Sequence, residues 1–351
     1  MSSSSGVVVI GRNEGDRLRR CLQSVLECGG RVVYVDSGST DGSVNLAREM
    51  GVEVVALDTS IPFSAARARN EGLHRLRTID PDRPYVMFVD GDCEVVAGWI
   101  QRGTTELDAR PDVAALCGRL RERYPEQSVY NRLCDMEWDA TSGEVQACGG
   151  IALYRISAFV EVGGFDPRVV AGEEPELCLR LRRKGHRILR LPDDMAWHDA
   201  AMHRFGQWWK RAVRAGHSYA EGMALHGRAP ERHYVCEVRS ILAGGVALPA
   251  IAAAFAWPTR GLSLLLLCAY AVLWLRVFRG RRSRGDVPDA ARLYATFIVL
   301  GKPAGAVGVW KYFWGRRVMR RAPRIIEYKK PGDGADAAVD GVASRNAAPR
   351  C

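Results

Sequence analysis

The stretch that decides the fold is YVMFVDGDCEV, which runs from Tyr85 to Val95. An apolar run typical of a buried strand leads directly into two carboxylates, Asp90 and Asp92, with only Gly91 between them. Two carboxylates at a strand end can hold a hard divalent cation such as Mg²⁺ or Mn²⁺ and share it with phosphates. Taken alone, the same residues also fit an ordinary Asp-Gly turn.

Strand and helix patterns alternate along the chain before this stretch. The expected strands are 7–10, 31–36, 52–57 and 85–90. Helical spacing of apolar residues between them predicts an α/β domain with a mainly parallel sheet flanked by helices. Asn13, Asp36 and Asp90 fall at the carboxyl ends of strands, where such sheets bind ligands. From about residue 119 to 146 the pattern weakens, and we expect loops and short helices there.

The net charge, the cysteine spacing and the first residues of the chain indicate its partners and its cellular setting. The chain has 351 residues and a formal net charge of +10, which favours phosphate-bearing substrates, nucleic acid or an anionic membrane surface as partners. Its ten cysteines form no CxxC pair and no zinc-ligand spacing, so we expect a reduced setting with most thiols buried as small apolar groups. The start, MSSSSG, shows no pattern of a secretory signal.

Two uncharged apolar runs follow, Ile241–Trp257 and Leu262–Leu275. As helices they would span about 25 Å or less, which is short for a bilayer core of about 30 Å. They fit two short transmembrane or re-entrant helices, or a buried helical hairpin in a soluble core. Arginines are frequent on both outer flanks, whereas only Arg260 lies between the runs, and this asymmetry places both ends of the hairpin in the cytoplasm.

A third stretch, Leu293–Trp314, is apolar but contains Lys302-Pro303, where we expect a break and therefore an interfacial helix. The expected organisation is a catalytic α/β domain over 1–227, the apolar hairpin over 228–285, a basic amphipathic segment over 286–330 and a disordered tail over 331–351.

Polar residues after the first two strands suit a nucleotide. No GxGxxG follows the first strand, which argues against a dehydrogenase. Arg12, Asn13 and Glu14 instead offer polar groups for a base or ribose, and Asp36 can accept hydrogen bonds from a base imide or ribose hydroxyls.

The helix after the third strand carries Arg67 and Asn70 on one turn, together with Arg69. Arginine can pair with a diphosphate. A solvated basic helix face is the alternative.

Six stretches, taken in order, resemble the family 2 glycosyltransferases of the GT-A fold. They are VVVIGRNEG, DSGSTDGS, FSAARARNEG, MFVDGDCEV, GGIALYRISAFVEVGGFD and EEPELCLRLRRKG, within roughly residues 6–227. The resemblance implies an inverting transferase that uses a nucleotide-diphosphate sugar and a divalent metal, Mn²⁺ or Mg²⁺. By this similarity Asp36 contacts the nucleotide base, Asp90 the ribose and Asp92 the metal. His198 in AWHDA stands where many members supply a further ligand, and an ordinary surface or core histidine is the alternative.

The catalytic base departs from the family pattern. Members usually show Glu-Asp at the start of the helix after GGFD, whereas this chain has Glu173-Glu174. An inverting transfer needs a carboxylate that accepts the proton of the acceptor hydroxyl. The resemblance assigns this role to Glu174, with Glu173 as second candidate and a role at the helix N-terminus as the alternative.

Two further stretches are expected on the acceptor or diphosphate side. One is the pair Gly149 and Gly150 in GGIALYR. The other, HRFGQWWKRAVRAG, resembles a reduced form of the Gln-Arg-Trp motif of processive synthases and contributes Gln207, Trp208 and Arg211. A membrane-facing amphipathic helix fits this second stretch equally well.

We therefore expect a membrane-attached transferase on the cytoplasmic face of a bacterial inner membrane, acting in polysaccharide or cell-envelope biosynthesis. It would use a nucleotide-diphosphate sugar, foremost a UDP-sugar, and a lipid-linked or nascent surface-glycan acceptor, without nucleic acid as partner. Two alternatives are a phosphatase of the haloacid dehalogenase type, in which Asp90 would be a covalent nucleophile, and a non-catalytic basic membrane adaptor.

Overall fold

The computed structural model describes residues 5–317, which form two compact units. The first unit contains residues 5–168 and 173–202, and the second contains 169–172 and 203–317. The tail expected to be disordered, 331–351, lies outside the described residues.

The first unit is a mixed sheet flanked by helices. Its strands are β1 (Ser5–Gly11), β2 (Val32–Asp36), β3 (Glu53–Ala56), β4 (Tyr85–Asp90), β5 (Cys93–Val95), β6 (Val113–Glu122), β7 (Gly143–Glu144), β8 (Ala152–Arg155) and β9 (Arg187–His198). Its helices are α1 (Asp16–Glu27), α2 (Ser43–Glu49), α3 (Ala65–Ile79), α4 (Trp99–Ala109), α5 (Val129–Trp138), α6 (Ile156–Glu161) and α7 (Glu173–Arg183).

Strands β1 to β4 form the parallel half of the sheet, as the alternating pattern predicts. The order is β3-β2-β1-β4-β8-β6-β9-β5, with β7 beside β9. The pairs β1–β2, β2–β3 and β1–β4 are parallel, whereas β8 runs antiparallel to β4 and to β6. The predicted fold class is confirmed, and the sheet is mixed beyond β4.

The register of β1 gathers the first polar residues at one edge. Gly11 pairs with Asp36 on one side and Ile10 pairs with Asp90 on the other. Because the three strands are parallel, their carboxyl ends meet at the same edge of the sheet. Fully buried valines fill β1 and β2, so this half is covered on both faces, as parallel sheets are.

Two long strands were not expected from the sequence. β6 extends to Glu122, so residues 119–122 are strand rather than loop, and the expectation of loops and short helices is wrong there. β9 runs for 12 residues beside β6, through register shifts between Val113 and Leu120. These irregularities interrupt the alternation of apolar and polar residues, which is the signal that identifies a strand in a sequence.

The second unit is helical. Its helices are α8 (Phe205–His226), α9 (Val235–Leu242), α10 (Leu248–Ala254), α11 (Cys268–Ser283) and α12 (Pro288–Arg317). A π-helical turn (Ala243–Ala247) joins α9 to α10, and a 3₁₀ turn (Leu262–Leu267) leads into α11.

Within the described part of the chain, three helical segments are long and apolar enough to cross a membrane: Val235–Ala254, Leu262–Ser283 and Pro288–Arg316. The break expected at Lys302-Pro303 is absent, since α12 runs through Pro303 without interruption. A proline removes one helical hydrogen bond and crowds the preceding turn. We attribute the continuity of α12 to its packing along α8, which compensates for that local cost.

Glycines permit this close packing of α8 and α12. A β-carbon on Gly216 would lie 2.1 Å from the carbonyl oxygen of Gly305, and one on Gly308 would lie 2.0 Å from the carbonyl oxygen of Val213. Both distances are far below van der Waals contact with rigid backbone. The two helices can therefore adopt this approach only with glycine at these positions.

We expect Gly308→Ala to lower the free energy of unfolding of the second unit by about 1–3 kcal/mol, because the added methyl group forces the two backbones apart. Thermal unfolding of the detergent-solubilised chain measures the effect. Gly280→Ala on α11 is the matched control, since its β-carbon would meet nothing within 4 Å and alanine favours the helix. Equal unfolding midpoints for the two variants would contradict the packing role of Gly308.

Candidate active site

The loop after β2 is organised by Asp36. One oxygen of this buried carboxylate accepts hydrogen bonds from the backbone N–H groups of Gly38 (2.9 Å) and Ser39 (2.8 Å), and the other accepts one from the Tyr34 hydroxyl (2.9 Å). Asn13 ties the loop to the end of β1, because its side-chain oxygen accepts from Thr40 N–H at 2.7 Å. Contact of Asp36 with a base stays a prediction.

The other two polar residues after β1 lie beside this loop. The Arg12 guanidinium stacks over the ring of Phe63, 4.4 Å from its centroid, and is exposed. Glu14 forms an ion pair with Arg17 at 2.9 Å. Asn13 thus links the end of β1 to the loop after β2, whereas Arg12 presents a cation at the surface.

Arg67 and Asn70 contact neighbouring backbone. Arg67 donates to the carbonyl oxygens of Asp58 and Ile61, each at 3.0 Å. Asn70 donates to the Phe165 carbonyl oxygen at 2.7 Å and accepts from its N–H at 3.1 Å. In this structure both side chains hold loops in place, and their binding of a nucleotide stays a prediction.

Arg69 is the residue of α3 that reaches the site, and the sequence did not distinguish it from its neighbours. It is 2% exposed and forms ion pairs with Asp90 at 2.8 Å and with Glu173 at 2.5 Å. Burial works against its charge, but the two carboxylates raise the pKa of Arg69 above its ordinary value. The guanidinium therefore joins the end of β4 to the start of α7.

Asp92 and His198 meet across the pairing of β5 with β9. Cys93 is the partner of His198 in this antiparallel pair, which brings the imidazole Nε2 to 3.4 Å from the Asp92 carboxylate. On its other side, Nδ1 lies 3.7 Å from the carboxylate of Glu122. Glu122 is fully buried at the end of β6 and was not identified from the sequence, because β6 was not expected to extend that far.

These residues fit a divalent metal. Neighbouring ligands of an octahedral ion at about 2.1 Å are about 3 Å apart, close to the 3.4 Å between Asp92 Oδ2 and His198 Nε2. His198 Nδ1 is buried and has no hydrogen-bond partner within the described residues, so a small turn of the ring would let Glu122 accept its proton. A carboxylate that orients a histidine in this way leaves Nε2 available to a metal. A carboxylate with an imidazole favours Mn²⁺ over Mg²⁺.

Glu173 and Glu174 begin α7 and point to different partners. Glu173 pairs with Arg69, whereas Glu174, 3% exposed, accepts on Oε1 from the Cys148 N–H at 2.5 Å and from the Cys178 thiol at 2.9 Å. Burial raises the pKa of Glu174 to about 7, against the opposing effect of these hydrogen bonds. A carboxylate with this pKa can gain and lose a proton near neutral pH.

Gly149 and Gly150 lie where these groups converge. A β-carbon on Gly150 would stand 3.1 Å from Asp90 Oδ2 and 3.2 Å from Arg69 Nη2, and the Gly149 N–H helps to lower the pKa of Glu174 against the effect of burial. Gly149 has φ of +96°, a conformation that favours glycine. The structure thus brings Asp90, Gly149, Gly150 and both glutamates together in the first unit.

The remaining predicted residues belong to the second unit. Gln207, the third residue of α8, caps the start of this helix, because its side chain accepts from the N–H groups of His203 (2.8 Å) and Arg204 (2.9 Å). Trp208 is buried against Phe297, with ring centroids 4.7 Å apart, and Arg211 is half-buried on the same helix. A role on the acceptor or diphosphate side stays a prediction for all three.

A mixed α/β sheet flanked by helices, with carboxylates gathered at its strand ends, is a GT-A-type architecture. Residues 6–160 match the family model Glycosyl transferase family 2, and this chain carries a domain of that family.

Two curated relatives align with just over half of the chain. The "Pre-mycofactocin glycosyltransferase" of Mycobacterium tuberculosis is 28% identical over 207 residues, covering 55% of this chain and 42% of the relative. "Succinoglycan biosynthesis protein ExoA" of Rhizobium meliloti is 29% identical over 202 residues, covering 53% and 60%. The alignments thus cover less than two thirds of either relative.

A solved structure shares the fold. It is mannosyltransferase PcManGT from Pyrobaculum calidifontis in complex with GDP-Man and Mn²⁺, with a TM-score of 0.62 and 20% identity. The match covers 90% of this chain and 89% of that one.

We expect Arg69→Ala to lower the free energy of unfolding of the first unit by about 3 kcal/mol, because it leaves Glu173 and the partly exposed Asp90 without their cation. Denaturant unfolding measures the change. Arg67→Ala, two residues earlier in α3, removes hydrogen bonds to the loop carbonyls of Asp58 and Ile61, and as the control it should cost less than about 1 kcal/mol. A loss for Arg69→Ala no larger than for Arg67→Ala would contradict the bridging role.

Proposed function

We propose that this chain is a metal-dependent, inverting glycosyltransferase. It moves a sugar from a nucleotide-diphosphate sugar to a hydroxyl of a lipid-linked or nascent surface-glycan acceptor. The observation that carries the proposal is the junction at Arg69, which joins Asp90 on the donor side to Glu173 at the start of α7. A family 2 domain over residues 6–160 supports the same reaction class.

Each residue of the site has a task in this reaction. Asp36 and the loop it organises bind the base, and Asp90 binds the ribose. Asp92 and His198 would hold the metal, with His198 oriented by Glu122. The bound metal would neutralise the diphosphate that departs.

Glu174 carries the acid-base step. Its carboxylate accepts the proton of the acceptor hydroxyl as the hydroxyl oxygen forms a bond to the anomeric carbon. The bond from that carbon to the diphosphate breaks on the opposite face, and the nucleoside diphosphate leaves with the electron pair. The additional methylene of Glu174 relative to the usual aspartate is accommodated because Cys148 and Cys178 hold the carboxylate.

We propose Mn²⁺ as the metal and two donor classes for testing. The Asp-His pair favours Mn²⁺, and the structural relative was solved with GDP-Man and Mn²⁺. GDP-sugars therefore stand beside UDP-sugars, which the sequence favours, as donors to test.

The helices of the second unit support attachment to a membrane. Trp257 is 92% exposed, and the turn Leu262–Leu267 also carries exposed leucines. Large apolar surface of this kind is typical of a membrane contact. With arginines on the outer flanks, we place the catalytic unit on the cytoplasmic face of a bacterial inner membrane.

The two alternative functions have less support. A phosphatase would need Asp90 as a free nucleophile, but this carboxylate is ion-paired with Arg69. A non-catalytic adaptor gives no reason for two buried glutamates at the start of α7, one with a pKa raised to about 7.

We expect Glu174→Gln to lower kcat by about 10²–10⁴-fold, because the amide cannot accept the acceptor proton. Glu176→Gln, in the same helix turn and paired with Arg180, is the control and should retain activity once folding is verified. Transfer assays with UDP-, GDP- and dTDP-sugars and Mn²⁺ measure both. A larger loss for Glu173→Gln than for Glu174→Gln would reassign the base.

The rate should also depend on pH. Because burial raises the pKa of Glu174 to about 7, the group is protonated and inactive as a base below that pH and ionised above it. We therefore expect kcat/KM to rise about tenfold per pH unit below about pH 7 and to level off above it. A flat profile across this range would contradict the assignment.

We expect Asp92→Asn to weaken the Mn²⁺-dependent binding of a nucleoside diphosphate by more than about 10-fold, and Glu122→Gln by about 10-fold, since one removes a ligand and the other its orienting group. Thermal-shift and calorimetric titrations with and without Mn²⁺ measure this. Asp82→Asn, on an exposed loop, is the control. Full Mn²⁺ dependence in Asp92→Asn would contradict the metal site.

A further inference from the structure

We propose that Cys148, Glu174 and Cys178 form a second metal site, one for a thiophilic ion such as Zn²⁺. Their ligand atoms, two sulfurs and a carboxylate oxygen, all lie within 4.8 Å of one another. Glu174 and Cys178 are one turn apart on α7, and Cys148 approaches from the loop before β8. This set is separate from Asp92 and His198, and it shares with the proposed transfer reaction the carboxylate of Glu174, to which the Cys178 thiol donates.

The distances fit a tetrahedral ion with little movement. Zinc binds sulfur at about 2.3 Å and carboxylate oxygen at about 2.0–2.2 Å, so two sulfurs lie about 3.8 Å apart and a sulfur and an oxygen about 3.5 Å apart. In the protein the Cys178 sulfur is 2.9 Å from Glu174 Oε1. The ion would replace the thiol proton that these two groups now share, with a shift of less than about 1 Å.

A second observation marks the same place. The hydroxyl of Tyr154, a residue 1% exposed, has no hydrogen-bond partner within the described part of the chain. Burial raises the pKa of Tyr154, and the ionisable groups Cys178, Glu174 and Cys148 raise it further. A buried polar atom without a partner calls for a bound water or ion.

The remaining surroundings permit such an ion. Cys117 is a further buried thiol that raises the pKa of Cys148, and the charge of Arg69 is neutralised by Asp90 and Glu173. Because a metal ion binds the thiolate form of cysteine, the thiol protons of Cys148 and Cys178 leave when the ion binds. Soft thiolates select zinc-like ions over Mg²⁺ and Mn²⁺.

Occupancy would inhibit transfer. The ion would bind the Glu174 carboxylate, which could then no longer accept the proton of the acceptor hydroxyl. This inhibition rests on the proposed role of Glu174 as the base. The path of an ion from solvent to Cys148 is short, because the next two residues, Gly149 and Gly150, are exposed and lie outside regular secondary structure. A thiophilic ion would thus act as an inhibitor distinct from the activating metal.

The binding test uses Cd²⁺, whose thiolate bonds absorb in the ultraviolet, with the full reduced chain in detergent and no nucleotide present. We expect a charge-transfer band that saturates at one equivalent and an affinity at least about 100-fold lower in Cys148→Ser/Cys178→Ser. Cys28→Ser is the matched control, since Cys28 is a buried thiol at the end of α1 that donates to Ser24. An unchanged band in the double variant would overturn the proposal.

A second measurement needs no variant and remains decisive if the double variant does not fold. Zn²⁺ should slow alkylation of Cys148 and Cys178 in the native chain, measured by peptide mass spectrometry, while leaving the labelling of Cys28 unchanged. Equal protection of all three thiols, or protection of none, would overturn the proposal.

The inhibitory consequence is tested separately. With saturating Mn²⁺, micromolar Zn²⁺ should lower the transfer rate of the wild-type chain and leave that of Cys178→Ala nearly unchanged. Equal inhibition of both would remove the regulatory role. The Cd²⁺ titration and the alkylation measurement involve no sugar donor. They therefore test metal binding even if the chain proves not to be a transferase.

Discussion

The catalytic unit depends on one buried guanidinium. Arg69 on α3 makes ion pairs with Asp90, at the end of β4, and with Glu173, at the start of α7. A buried charge is tolerated only with close partners, so these three elements cannot separate without a cost of several kcal/mol. Gly150 fits against the same pair because it has no β-carbon. The positions of the nucleotide side and the base side of the site follow from this constraint.

The acidic side chains around this ion pair differ in the groups that stabilise their negative charge. Asp36 accepts three hydrogen bonds and holds a loop, Glu173 has a cation, and Glu174 has only neutral donors. Neutral donors compensate burial less than a cation does, which is why the pKa of Glu174 rises to about 7. Two adjacent glutamates thus have different partners, a guanidinium for Glu173 and neutral donors for Glu174.

The parallel half of the fold could be predicted because its signals are local. The apolar strands β1 to β4 and the helices between them appear as contiguous patterns, and the residues at their carboxyl ends follow from the chain order. The long strands β6 and β9 could not be predicted in the same way, since register shifts interrupt their periodicity. Glu122 was missed for this reason, and the continuity of α12 through Pro303 was missed because it depends on packing with α8.

The sequence by itself determined the class of fold, the acidic strand ends, the paired glutamates and the apolar C-terminal helices, because each of these features depends on residues that are neighbours in the chain. Only the tertiary structure decided which residues meet. Arg67, Arg69 and Asn70 share one helix turn, yet only Arg69 points to the carboxylates, and Cys148 and Cys178 become neighbours of Glu174 through the packing of α7 on the sheet. Such contacts join residues far apart in the chain, and their geometry is set by the simultaneous burial of both partners, which no local pattern encodes.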